Sequence, residues 1–122
     1  MQPEKFSIRS RLISFTHAFR GIRNFVLYEH NARIHFTATI AVLIAALVFK
    51  VSCPEAATLA GVIGLVWVAE IVNTCFEKLA DHITKQRHPE IKIIKDLAAG
   101  AVLVAAIIAV IAGLFIFIPK II

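Results

Sequence analysis

Three apolar runs dominate the sequence, and their lengths leave few folds open. The first extends from Ile34 to Val51 and is uncharged as far as Phe49. The second begins near Ala56, yet its uncharged part ends at Ala69, 14 residues on. A helix crossing the hydrocarbon core needs about 20 residues. The second run must therefore continue through Glu70 and Asn73, to about residue 76. The third runs from Leu97 to Ile118 and is closed by Pro119 and Lys120. With 122 residues there is room for one domain spanning 1–122. Hydrophobic residues make up 59% of it and charged residues 17%, against about 25% charged in soluble domains. The expectation is an all-α integral membrane protein with spans at about 34–51, 56–76 and 97–118.

Ahead of the first span, residues 5–31 read as a surface helix. Leu12, Phe15, Phe19, Ile22 and Val26 recur at spacings of three and four, which places them on one helical face. Arg9, Arg11, Arg20 and Arg23 surround that face, a pattern suited to the membrane interface. The basic residues also set the topology. They gather before the first span and between the second and third (Lys78, Lys85, Arg87, Lys92, Lys95), whereas the other two segments hold Lys50 and Lys120. The positive-inside rule then places the N-terminus in the cytoplasm, the expected home being a bacterial cytoplasmic (inner) membrane. The formal net charge of +5 suits anionic headgroups and phosphate, and no nucleic-acid partner is expected. No cleavable signal is evident. Cys53 and Cys75 read as small apolar side chains.

The chemistry concentrates in the second span. Glu70, Asn73, Thr74, Glu77 and Asp81 stand at offsets of 0, 3, 4, 7 and 11, so a helix gathers them on one narrow face. A carboxylate at mid-membrane costs about 2.5–3.5 kcal/mol on insertion scales. The bland reading is a polar stripe that packs helices, and two glutamates with an asparagine make poor glue. Desolvation makes a carboxylate a stronger proton acceptor, the property a general base needs. A second carboxylate nearer water can hold Mg²⁺, which takes one or two protein carboxylates and completes its shell with water and phosphates. Glu29, at the end of the surface helix, is the natural partner of Glu77, and Lys95 and Asp96 enter the third span from the same side. A membrane-resident hydroxyl could meet a phosphoryl donor there. No Walker-type loop and no G-x-G-x-x-G run is present. His82 and His88 lack the cysteine partners of a zinc site. Ala98, Ala99, Gly100 and Ala101 favour close helix approach, and three helices shield a polar stripe poorly, so an oligomer is expected.

Three segments, EHNARIH (Glu29 to His35), EIVNTCFEKLAD (Glu70 to Asp81) and IKDLAAGAVL (Ile94 to Leu103), resemble the small prokaryotic diacylglycerol kinases, a family that includes undecaprenol kinases. The resemblance covers nearly the whole chain. It implies a homotrimeric membrane kinase that uses ATP and Mg²⁺ to phosphorylate a membrane lipid alcohol, with sites shared between subunits. By that resemblance Glu70 is the catalytic base and Glu29 and Glu77 hold the metal. Lys95, Asp96 and His88 contact the nucleotide, Asn73 supports the metal and base, and Arg33 helps to frame the lipid headgroup. His17 stands where some members carry a tyrosine near the nucleotide. Cys75, Phe76 and the Lys78–Ala80 stretch depart from the family pattern without touching the carboxylates. The competing readings are a non-catalytic membrane scaffold and a small ion channel subunit in which Glu70 and Asn73 line a path.

Overall fold

A computed structural model describes residues 3–122, and all regular structure in them is helical. Four helices follow in order: α1 Ile8–Tyr28, α2 His30–Val48, α3 Cys53–Ile83 and α4 Pro89–Ile121. The last three are each long and apolar enough to cross a membrane. At about 1.5 Å per residue, the 31 residues of α3 and the 33 of α4 reach about 46–50 Å, well beyond a hydrocarbon core of about 30 Å. The chain divides into two compact units, one ending at Phe36 and the other covering Thr37–Ile122.

In the first unit Ser7 caps α1, its hydroxyl accepting from Ser10 N–H at 3.4 Å. The sequence pattern predicts one helix to residue 31, but the helix stops at Tyr28. Glu29 is the C-cap, extended at φ −92° and ψ 128°, with its N–H donating to Phe25 O at 3.0 Å. The chain re-enters helix at His30, and Arg33 Nη2 donates to Leu27 O at 2.8 Å across the break. Phe25 and Ala32 are buried.

In the second unit α3 and α4 form an antiparallel pair whose register is pinned at both ends. Lys95 Nζ lies 2.7 Å from Asp81 Oδ1, and Lys120 Nζ lies 3.0 Å from Glu55 Oε1. The covered positions of α4 include Ile91, Lys95, Ala98, Val102, Ala105, Ala109, Ala112, Ile116 and Lys120, spaced by threes and fours, with Gly100, Ala106, Gly113 and Phe117 beside them. On α3 the buried positions are Leu59, Val66, Glu70, Asn73 and Ala80. Such spacing is that of a coiled-coil seam, and the alanines on α4 let the two backbones come close. Helix α2 joins this pair through Thr39, which accepts from Trp67 Nε1 at 2.9 Å, and just past its end Phe49 makes an edge-to-face contact with Phe117 at 5.9 Å.

Several helix ends lie outside the expected spans, for local reasons. Ser52 and Glu55 form a capping box with Pro54 in the first turn, so α3 starts at Cys53 rather than near Ala56. His88 caps α4 and Pro89 opens it, eight residues before Leu97. Lys78, Lys92 and Lys95, expected in a loop, are helical, and only 84–88 connect α3 to α4. Pro119 does not close the last helix. It sits inside the final turn, where the hydrogen bond it cannot give to the carbonyl four residues back is lost only at the helix end. Ser52→Ala removes one half of the capping box and is expected to lower stability by about 1 kcal/mol in SDS-titration unfolding of the detergent-solubilised protein.

Candidate functional site

Helix α3 carries its polar stripe from the middle of the α3–α4 seam out to its open end. Glu70 and Asn73 are 4% and 5% exposed, Thr74 is half-buried, and Glu77 and Asp81 are exposed. Interpolating between the two terminal ion pairs brings Ala105 level with Glu70 and Ala98 level with Glu77. The small α4 side chains leave the carboxylates their room. Glu70 precedes Glu77 by about 10 Å along the axis, so a single helix face runs from a desolvated carboxylate to a hydrated one.

Asn73 links the two ends. Its Nδ2 donates to Glu77 Oε1 at 3.2 Å, which orients that carboxylate. Asn73 Oδ1 and Glu70 Oε2 are buried atoms that accept no hydrogen bond from the described residues. Buried acceptors of this kind are rare and call for an explanation. A hydroxyl donor arriving from the membrane, or a water carried with it, would satisfy both.

Beyond Glu77, the end of the hairpin forms an open cavity of about 660 Å³. Asp81, Lys85, Arg87, His88, Lys92 and Lys95 are among the residues that line it. Lys95 is held by Asp81, and Lys92 Nζ pairs with Asp96 Oδ2 one turn along α4. His88 is engaged structurally, its Nδ1 accepting from Glu90 N–H at 3.3 Å. A basic cavity rimmed by lysines at the end of a helix hairpin suits a polyphosphate.

Of the residues singled out from the sequence, the second unit therefore brings Glu70, Asn73 and Glu77 together as a stripe and sets His88, Lys95 and Asp96 at its open end. Glu29, Arg33 and His17 lie in the first unit: Glu29 is the half-buried cap of α1, Arg33 spans the break to α2, and His17 is exposed on α1. Among the described residues no three carboxylates, imidazoles or thiolates gather as a preformed metal cage. Magnesium carried by a nucleotide does not require one, since one or two carboxylates suffice. Glu77, exposed and oriented by Asn73, fits that use. The role of Asp81 as the anchor of Lys95 was not evident from the sequence, because it depends on which residue of α4 comes level with it. The signal that was available is its place at offset 11 on the stripe.

Residues 16–117 match the family model described as prokaryotic diacylglycerol kinase. The chain is 43% identical over 107 residues to the undecaprenol kinase of Bacillus subtilis (strain 168), a match that covers 88% of this chain and 87% of that protein. It is 39% identical over 109 residues to a diacylglycerol kinase of Synechocystis sp. (strain PCC 6803), covering 88% of this chain and 62% of that one.

A carboxylate kept in a seam of alanines for chemistry rather than packing should be replaceable without loss of the fold. Glu70→Gln is expected to unfold at the same or a higher SDS fraction, with a gain of up to about 2 kcal/mol, since a neutral amide is less costly to bury than a charge. A marked loss of stability would identify the stripe as packing.

Proposed function

The chain belongs to the prokaryotic diacylglycerol kinase family and is a multi-pass membrane lipid kinase, and we propose that it moves the γ-phosphoryl group of ATP onto the hydroxyl of a membrane lipid alcohol. The two lipids named for its relatives, undecaprenol and diacylglycerol, both carry an alcohol hydroxyl. The observation that carries the reading is the buried Glu70 carboxylate, joined along one helix face through Asn73 and Glu77 to a lysine-lined cavity.

The reaction divides along that face. The lipid hydroxyl enters from the membrane side and donates to Glu70, whose carboxylate accepts the proton as the oxygen attacks phosphorus. Phosphoryl transfer asks the protein chiefly for position and charge stabilisation. Lys95 and His88 hold the nucleotide at the open end of the hairpin, with Asp96 restraining Lys92 and making its own nucleotide contact. Glu77 and, by the family resemblance, Glu29 would hold Mg²⁺, which when bound would neutralise charge on the phosphates. Asn73 keeps Glu77 oriented. By the family resemblance Arg33 would frame the lipid headgroup and His17 would contribute to nucleotide binding. The lipid-like exposure of large side chains such as Leu47, Phe115 and Leu97 leaves ample apolar surface for both bilayer and neighbouring subunits. We infer a homotrimer with shared sites in a bacterial cytoplasmic membrane, the N-terminus in the cytoplasm.

Radiolabelled ATP with Mg²⁺, offered undecaprenol and diacylglycerol in parallel, tests the reading. Transfer to one or both lipids is expected, falling at least about a hundredfold in Glu70→Gln, the loss typical of a general base. Glu77→Gln should raise the Mg²⁺ concentration needed for half-maximal rate. Transfer to neither lipid by a folded, oligomeric sample would reject the kinase assignment and leave the scaffold and channel readings.

A further inference from the structure

Trp67 stands three residues before Glu70 on α3, about 4.5 Å further from the open end of the hairpin and about 60° round the helix. It continues the face that carries Glu70 and Thr74. Its indole N–H donates to Thr39 Oγ1 on α2 at 2.9 Å, and both residues are half-buried. An indole nitrogen is a donor only, and leaving it without an acceptor in hydrocarbon is costly. Thr39 is therefore more than a tolerated polar residue in an apolar span. The hydrogen bond fixes the rotamer of the largest side chain in the span and ties α2 to α3 one turn below the reacting carboxylate.

That level matters for the reaction. A lipid whose hydroxyl reaches Glu70 from the membrane must pass its first carbons across the helix turn beneath Glu70, which is where Trp67 lies. We propose that the Trp67–Thr39 pair is the positioning element of the lipid site: the indole forms the floor against which the lipid backbone rests, and Thr39 holds the indole there. The proposal rests on the kinase reading above and adds the determinant of how the alcohol is presented. It also predicts a determinant of lipid choice, because a slender allylic chain and a two-chain glycerol backbone meet a flat ring differently.

Trp67 is the single tryptophan of the chain, so its emission reports on this place alone. In nanodiscs, a short-chain diacylglycerol and a short polyprenol are titrated separately while Trp67 emission is followed, with ATP and Mg²⁺ as the control titration. Saturable change with a lipid alcohol and none with nucleotide is expected. Kinetics of Thr39→Val, which is nearly isosteric, and of Trp67→Phe, which removes the N–H together with one ring of the indole, should show KM for the lipid raised about three- to tenfold, the range set by one net hydrogen bond. KM for ATP should stay unchanged, the double variant should be no worse than either single one, and Thr39→Ser should restore the wild-type value. The ratio of kcat/KM for the two lipids should shift in both variants. Emission indifferent to lipid alcohol, or variants that raise both KM values alike, would overturn the proposal and reduce the pair to a packing contact. Absence of transfer by the wild type would instead sink the kinase reading, while saturable emission with lipid would still support contact at Trp67.

Discussion

The seam between α3 and α4 is the constraint from which the site follows. Within a bilayer, helices gain no hydrophobic free energy by associating, so close backbone approach and polar ties must supply the attraction. Here the alanines of α4 provide the approach, and the Lys95–Asp81 and Glu55–Lys120 pairs provide ties at the two ends. An exposed pair such as Lys95–Asp81 is individually weak, about 0–1 kcal/mol, while Lys120–Glu55 is half-buried. Their contribution is register: with both ends matched, a slip of one turn along the seam would break both pairs and carry Glu70 away from Ala105.

The same seam explains how a chain so rich in apolar residues keeps a carboxylate at depth. Glu70 is buried within the protein, and it belongs to a series that becomes more exposed toward the open end of the hairpin. Asn73 is buried, Thr74 half-buried, Glu77 exposed, and Asp81 reaches the lysine-lined cavity. On the proposed reading this gradient separates the two halves of the reaction, with proton acceptance in the dry part and phosphate binding in the wet part. Lys92 and Lys95 are each neutralised by a carboxylate, Asp96 and Asp81. An incoming phosphate would thus exchange one anionic partner for another rather than be attracted to bare charge.

The cap residues show how local chemistry limits what apolar patterning can say. Hydropathy reports where lipid lies and is silent about where a helix begins, so the expected spans stopped short of the helices at nearly every end. The signals were nevertheless present. Ser52 with Glu55 three residues later, and Pro89 directly after His88, are helix starts by the rules of capping. His88 illustrates the overlap of roles, since the imidazole expected at the nucleotide already serves as an N-cap. The break at Glu29 had no comparable marker, because neither glycine nor proline accompanies it.

What the sequence by itself determined is what depends on period and composition: three spanning helices, an arginine-bearing helix before them, and one face of α3 bearing Glu70, Asn73, Thr74, Glu77 and Asp81. Helical periodicity is local, so residue spacing alone specifies which side chains share a face. The EHNARIH, EIVNTCFEKLAD and IKDLAAGAVL segments likewise made the family legible. What only the tertiary structure decided is which helix covers that face and at what level. The pairing of Asp81 with Lys95 rather than with any other lysine and the bond from Trp67 to Thr39 join residues on different helices, and the burial of Glu70 likewise depends on what packs against α3. Such pairings depend on register, and register is set by how two whole helices fit against each other, a property that no single stretch of sequence contains.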